Sequence, residues 1–130
     1  MGGAAAISRH VSQFCDKITL LSMVGEKGEF LKEIKDNLHK RINFTYIKKK
    51  NSPTILKKRF LDIITNNKVL GVYKINDDIL TDVEEKLFNK KLKNLLPKHD
   101  LVIVSDYGHG LISKKSSEII CKKSKYLALN

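Results

Sequence analysis

The sequence predicts an α/β fold in which helices cover a parallel sheet and a small β segment is inserted. The apolar run Leu101–Val104 is short and β-branched, which is typical of a parallel strand buried on both faces. Runs of this kind alternate with amphipathic helical patterns, as in βαβ units. Between residues 42 and 75, patterns of period two and a hairpin signal replace the helical ones.

The first elements follow from hydrophobic spacing. Ile7, Val11 and Phe14 recur at helical intervals after a start made of small residues. Lys17–Val24 then predicts a strand, and Glu29–Leu38 predicts an amphipathic helix of two to three turns. These elements begin the α/β pattern.

The middle of the chain predicts β structure. Residues 42–47 largely alternate between apolar and polar side chains, as in a half-exposed strand. Two further strands, 54–65 and 69–75, are joined at Asn66-Asn67, which is a hairpin signal. We therefore expect residues 42–75 to form a lid or flap over a sheet edge.

The second half of the chain returns to the α/β pattern. Thr81 and Glu84 have capping-box spacing, and the helix that they start continues until Pro97. After the strand at 101–104, Ser113 predicts the start of another helix, and Tyr126–Leu129 predicts a last strand. Because the sequence stops at this strand, we expect a fragment of a larger domain.

Composition limits the classes of function. The net charge of +11 is compatible with a nucleic-acid partner, but the basic residues are spread along the chain without a recognised motif. Nucleic acid is therefore not the expected partner. No apolar run approaches the roughly 20 residues of a membrane span. Cys15 and Cys121 lack CxxC spacing, so we expect reduced thiols in a cytoplasmic protein.

The polar turn Ser105–Gly110 contains the first candidate site residue. Ligands of open α/β sheets bind beyond the carboxyl ends of the strands, which is where this turn follows Leu101–Val104. Asp106 is therefore placed at a site. His109 lies three residues further on, but that spacing in a glycine turn does not define metal geometry, so no metal ligand is predicted.

Three stretches resemble the PfkB (ribokinase-like) carbohydrate kinases. Asp106–Gly110 is similar to the D-Y-G-K-G that ends a strand in this family, with His109 in place of lysine. The likeness is greatest to the kinase domain of bifunctional heptose-phosphate kinase/nucleotidyltransferases. Residues 2–25 resemble the first family signature, with a glycine pair before a small-residue helix start. The P-T-x-x-K-x-R segment of the family is matched by Pro53, Thr54, Lys57 and Arg59.

Some positions depart from the family pattern. Ala6 stands where the family usually has an asparagine that contacts the sugar, and Lys27 stands where an aspartate is common. On the strand that follows Arg59, the family's arginine and aspartate have no counterpart, since Gly71 and Tyr73 occupy the approximate places.

The resemblance implies a partial ribokinase-like (Rossmann-like) three-layer fold, with residues 1–130 as the N-terminal half of a kinase domain. It implies that a sugar or sugar phosphate is bound by Gly2, Gly3, Lys57, Arg59 and Asp106. It assigns no catalytic residue here, because the family's catalytic aspartate lies in a late G-A-G-D turn that this sequence does not contain. ATP and Mg²⁺ are implied for the complete family member, and no cofactor is implied for this stretch.

Simple physical arguments accompany these assignments. Lys57 and Arg59 are two residues apart, so on a strand they point to the same face and could hold a phosphate. A solvated basic strand edge would carry the same pattern. Self-association through an exposed sheet edge is also expected. Two alternatives stay open: a non-catalytic homologue that acts as a binding or assembly module, and a basic nucleic-acid-binding domain.

Overall fold

The computed structural model describes residues 2–130, and the chain is α/β. In this range four α-helices, one 3₁₀ turn and six strands follow one another: α1 (Gly3–Val11), β1 (Ile18–Gly25), α2 (Leu31–Asn37), β2 (Ile42–Lys49), β3 (Leu56–Leu61), β4 (Lys68–Lys74), α3 (Asp82–Leu95), the 3₁₀ turn (Leu96–Lys98), β5 (Leu101–Val104), α4 (Lys114–Lys123) and β6 (Tyr126–Leu129). No helix in this range has both the length and the apolar character needed to cross a bilayer.

The strands pair two by two. β1 and β2 are parallel, with Ile18 opposite Ile42, and β5 and β6 are parallel, with Leu101 opposite Tyr126. β3 and β4 form an antiparallel hairpin. The crossover from β5 through α4 to β6 is the connection that the sequence predicted. The expected single three-layer sheet is not continuous in residues 2–130, where hydrogen bonds join the strands only within these three pairs.

The hydrophobic core lies between the two parallel pairs and helices α3 and α4. Its buried members are Ile47, Leu80, Phe88, Leu92, Leu96 and Ile120. Helix α3 begins as predicted, because Thr81 and Glu84 form a complete capping box. Helix α4 also begins as predicted, since the Ser113 hydroxyl accepts a hydrogen bond from the Ser116 backbone N–H at 3.1 Å.

Strand β5 differs from its prediction. Val102 and Val104 pack toward the core, but Leu101 is 44% and Ile103 is 38% exposed. The prediction that β5 is buried on both faces is therefore wrong for the described chain. Helices α3 and α4 cover one face of the β5–β6 pair, and the side chains on the other face stay in contact with solvent.

The inserted β segment is smaller than predicted. β2 belongs to the parallel pair, and its apolar side chains Ile42 and Ile47 are buried on opposite faces. The predicted start of the insertion at Ile42 is therefore wrong, and only the hairpin β3–β4 stands apart. Its first strand ends at Leu61, before the predicted Thr65, because the Asp62 carboxylate accepts hydrogen bonds from the backbone N–H groups of Ile64 and Thr65 and holds a turn.

Candidate functional site

The candidate site lies at the carboxyl ends of β1, β2 and β5. His99, just before β5, contacts Thr19 near the start of β1, with 3.1 Å between Nε2 and Oγ1. At the opposite end, the Nζ of Lys49, the last residue of β2, donates to the His109 carbonyl at 3.1 Å. The three strands therefore run in the same direction, and the turn 105–110 lies at their common carboxyl edge. We call this region the carboxyl-edge site.

Asp106 lies in this turn, where its position in the sequence predicted it. Its Oδ1 accepts a hydrogen bond from the Gly108 backbone N–H at 3.1 Å, and the residue is exposed. Gly110 has a φ of 77°, and a Cβ on it would overlap the Asp78 carbonyl. Glycine is therefore required where the turn packs against the segment that precedes α3.

The start of helix α1 lies beside the same turn at Gly3. The first backbone N–H groups of any helix lack intrahelical acceptors. Gly2, the N-cap of α1, has no side chain that could accept from them, so in α1 they are left without a side-chain cap. Gly3 has a φ of 56°, and a Cβ built on it would lie 3.5 Å from Cε2 of Tyr107. The start of α1 is thus next to the residue that follows Asp106.

His109 connects the turn to the hairpin. Its Nδ1 lies 2.7 Å from Oδ1 of Asp77, and its Nε2 lies 3.3 Å from Nζ of Lys57 on β3. The imidazole is only 16% exposed. Lys57 is therefore held at the carboxyl-edge site through His109.

Arg59 extends the basic face of the hairpin without touching the turn. Lys57 and Arg59 lie on one face of β3, opposite Tyr73 and Gly71 of β4. Lys68 donates to the Tyr73 hydroxyl at 3.1 Å. This hydrogen bond and the charge of Lys68, together with Arg59, lower the pKa of Tyr73. The face is thus strongly cationic.

Lys49 is a residue of the site that the sequence interpretation did not include. It is only 3% exposed, and its Nζ donates to the carbonyls of Asn76, at 2.7 Å, and His109. Burial lowers the pKa of Lys49, and the nearby carboxylates of Asp78, Asp77 and Glu84 oppose this. Period-two alternation from Ile47 would have placed Lys49 on the inward face.

Thr54, in the Pro53–Arg59 stretch that the sequence singled out, makes contacts that hold the fold. Its hydroxyl accepts a hydrogen bond from the Gly25 backbone N–H at 3.0 Å and donates to Glu29 at 3.3 Å. A Cβ on Gly25 would overlap the backbone of Pro53 and Thr54. The segment before β3 is therefore fastened to the end of β1.

The structure brings together three of the five predicted binding residues. Gly3 adjoins the turn that holds Asp106, and Lys57 reaches that turn through His109. Gly2 precedes Gly3, with nothing within 4 Å of a Cβ built on it, and Arg59 shares the face of Lys57 on β3. Within residues 2–130, no group of three or more His, Cys, Asp or Glu side chains is arranged to hold a metal ion.

Comparison with known proteins adds one similarity. No protein-family model matches the chain. Bifunctional protein HldE of a Nitratiruptor species is 23% identical over 124 residues. The chain is similar to this bifunctional protein. The aligned part is 95% of the chain and 26% of the relative, so the chain spans about a quarter of that protein's length.

Proposed function

We propose that this chain forms the sugar-phosphate-binding side of a PfkB-type sugar kinase, with a heptose phosphate as the substrate class. One observation carries the proposal: Lys57 of the hairpin contacts His109 in the turn that also holds Asp106 and adjoins Gly3. A helix start, a carboxylate and a cationic strand face thereby meet at the edge where α/β sheets bind ligands. The likeness to Bifunctional protein HldE supports this assignment.

Each group has a role that fits its chemistry. Only Oδ1 of Asp106 has a hydrogen-bond partner in the described chain, so Oδ2 can accept from a sugar hydroxyl. The N–H groups at the start of α1 can donate to sugar or phosphate oxygens. Lys57 and Arg59 supply positive charge for the phosphate, and the guanidinium of Arg59 can bind it through two parallel hydrogen bonds.

The proposal assigns binding, and no step of phosphoryl transfer, to these residues. ATP and Mg²⁺ are implied for a complete family member. The described side chains include no group of three able to hold a metal, so they do not fit a Mg²⁺ site by themselves. We expect the 130-residue chain to bind a sugar phosphate without turning over ATP.

Calorimetric titration with sedoheptulose phosphate tests the proposal. Arg59→Ala should weaken binding roughly 10- to 100-fold, because a lost charge-assisted hydrogen bond costs about 1.5–3 kcal/mol. Lys40→Ala is the matched control: it removes one exposed positive charge next to β2, away from the hairpin. It should leave the affinity nearly unchanged.

Two results would overturn the proposal. Equal weakening by Arg59→Ala and Lys40→Ala would indicate general attraction of anions rather than a site on β3. ATP-dependent phosphorylation of the sugar by the purified chain, abolished in Asp106→Asn, would make Asp106 a catalytic base and contradict a role in binding alone.

A further inference from the structure

We propose that a groove between α3 and α4 is a second anion site, which binds the phosphates of a small di- or triphosphate. The groove has a volume of about 250 Å³ and is lined by Lys86, Asn89, Lys90, Lys93, Asn94 and Lys115. None of these residues belongs to the carboxyl-edge site. The proposal is therefore independent of the proposed sugar-phosphate binding.

The groove is lined by four lysines whose positive charges have no ion-pair partner in the described chain. Lys86, Lys90 and Lys93 recur at intervals of four and three along α3, so they share one face of the helix. Lys115 faces them from α4. Within residues 2–130 none of the four forms an ion pair, and no acidic side chain lines the groove.

The repulsion in the groove is a cost that a bound anion would relieve. Like charges three and four residues apart destabilise a helix. In addition, Lys115 lies in the first turn of α4, which contains no acidic residue, so a cation stands at the positive end of that helix. A multiply charged anion between the helices would offset both effects.

Asn89 supplies a second, independent indication of a ligand. The residue is only 5% exposed, and its Oδ1 accepts a hydrogen bond from the buried Ser116 hydroxyl at 2.8 Å. That bond fixes the orientation of the amide. Its Nδ2 is buried and has no partner among the described residues. Buried polar groups are normally paired, and Asn89 is one of the residues that line the cationic groove, so an oxygen of a ligand bound there is a candidate partner for this donor.

The composition of the groove favours phosphates over bases. Its lining contains no aromatic side chain, and aromatic rings are what single-stranded nucleic-acid sites use to stack bases. Four ammonium groups and two amides can meet the oxygens of two or three phosphates. A nucleotide and an inorganic polyphosphate should therefore bind with similar affinity.

Calorimetric titration of the full chain with inorganic triphosphate at about 0.15 M ionic strength, where the Debye length is about 8 Å, tests the proposal. The double variant Lys86→Gln/Lys90→Gln should weaken binding by about tenfold or more, since two charge-assisted contacts are lost. Lys122→Gln/Lys123→Gln removes the same charge from the far end of α4 and should change the affinity less than about twofold.

Asn89→Asp provides a test that keeps the shape of the side chain. It retains an oxygen for the Ser116 hydroxyl but replaces the free donor with a negative charge, and it should abolish saturable binding. The lysine variants test the site even if this substitution prevents folding. Separate titrations with ATP and with a single-stranded oligonucleotide distinguish the possible sources of phosphate.

The proposal fails if triphosphate does not saturate the protein, or if the control double variant weakens binding as much as Lys86→Gln/Lys90→Gln. It also fails if ATP binds more than about tenfold more tightly than triphosphate, because that would require recognition of the base. Oligonucleotide binding that exceeds triphosphate binding and depends on the same lysines would assign the groove to nucleic acid instead.

Discussion

The imidazole Nδ1 of His109 lies 2.7 Å from the carboxylate Oδ1 of Asp77, and this contact orients the ring. The Nε2 on the other side meets the Nζ of Lys57 at 3.3 Å. A lysine ammonium can only donate, so a hydrogen bond between the two places the acceptor at Nε2. Asp77 thus orients the imidazole that holds the hairpin.

Removal of this ring should loosen the hairpin. His109→Ala deletes the contact partner of Lys57 and the contact with Asp77. Hydrogen exchange of residues 56–61 should be about two- to fivefold faster in this variant than in the wild type, because an exposed polar contact is worth up to about 1 kcal/mol.

His109→Gln is the matched control, because its amide oxygen can still accept a hydrogen bond from Lys57. Exchange of the hairpin in this variant should stay close to that of the wild type. Equal acceleration in His109→Ala and His109→Gln would contradict a role for the contact with Lys57.

Glu84→Gln should destabilise the protein at neutral pH. Burial of Glu84 tends to raise its pKa, but hydrogen bonds from the Thr81 hydroxyl and from the backbone N–H groups of Lys50 and Thr81, with the charge of Lys49, hold the pKa below 4.5. An amide replaces an acceptor oxygen with a donor, which leaves a buried N–H without a bond. The free energy of unfolding should fall by about 1–3 kcal/mol at pH 7.

The lowered pKa of Glu84 determines how the stability difference between wild type and Glu84→Gln should change with pH. Because the pKa of Glu84 is lower in the folded protein than its ordinary value, the carboxylate stabilises the fold above that ordinary value. The stabilisation is lost as the pH falls through the folded pKa, so urea unfolding should give a smaller difference between wild type and variant at pH 3. Glu85→Gln is the control, because the Glu85 carboxylate accepts no hydrogen bond in the described chain. A constant difference at both pH values would contradict the prediction.

Gly25→Ala should lower the free energy of unfolding by about 1–3 kcal/mol, the usual cost of forcing an extra methyl group into a packed site. The methyl group would overlap the backbone of Pro53 and Thr54, which cannot move without breaking the hydrogen bond between Gly25 and Thr54. Gly71→Ala is the control, since its methyl group would meet only the flexible ends of Tyr73 and Lys68. Urea unfolding of both variants measures the difference, and similar values would contradict the assigned close approach.

The sequence predicted elements whose signals are local. The capping box at Thr81 and Glu84 and the cap at Ser113 depend on residues within one helical turn, and both were confirmed. A crossover helix of ordinary length between β5 and β6 favours strands that lie close together in one sheet, and the two strands do pair. β2 was misassigned because its alternating pattern describes a strand but contains no information about its partner. Its parallel pairing with β1 depends on contacts across the chain.

The residues of the candidate site also fall into two groups, those with a local sequence signal and those whose contacts are distant in sequence. The turn 105–110 and the shared face of Lys57 and Arg59 could be read from spacing. The burial of Lys49 and the contact between His109 and Asp77 could not, because 60 residues separate Lys49 from the carbonyl that it binds and 32 separate the ring from its carboxylate. In the sequence alone, a lysine beside two other lysines resembles a solvated charge run.

The uncovered face of β5 and β6 leads to a last prediction, that the chain self-associates. Leu101 and Ile103 share this face with Tyr126, which is 70% exposed and lies opposite Leu101. In the described chain β6 pairs with β5 alone, so each strand also has a free edge. Apolar strands with free edges readily pair with another copy. Sedimentation should therefore show a mass that rises with concentration in the micromolar range.

Ile103→Lys should shift this equilibrium toward monomer by about tenfold or more, because it places a charge in the centre of the apolar face and burying it in an interface would be costly. Ile79→Lys is the matched control, since Ile79 is 81% exposed but lies outside the strands, and its replacement should leave the association unchanged. The free face should also limit stability. A monomer at micromolar concentration that melts cooperatively above about 60 °C would contradict the prediction, because a domain with an unpaired apolar face is not expected in the upper part of the mesophilic range.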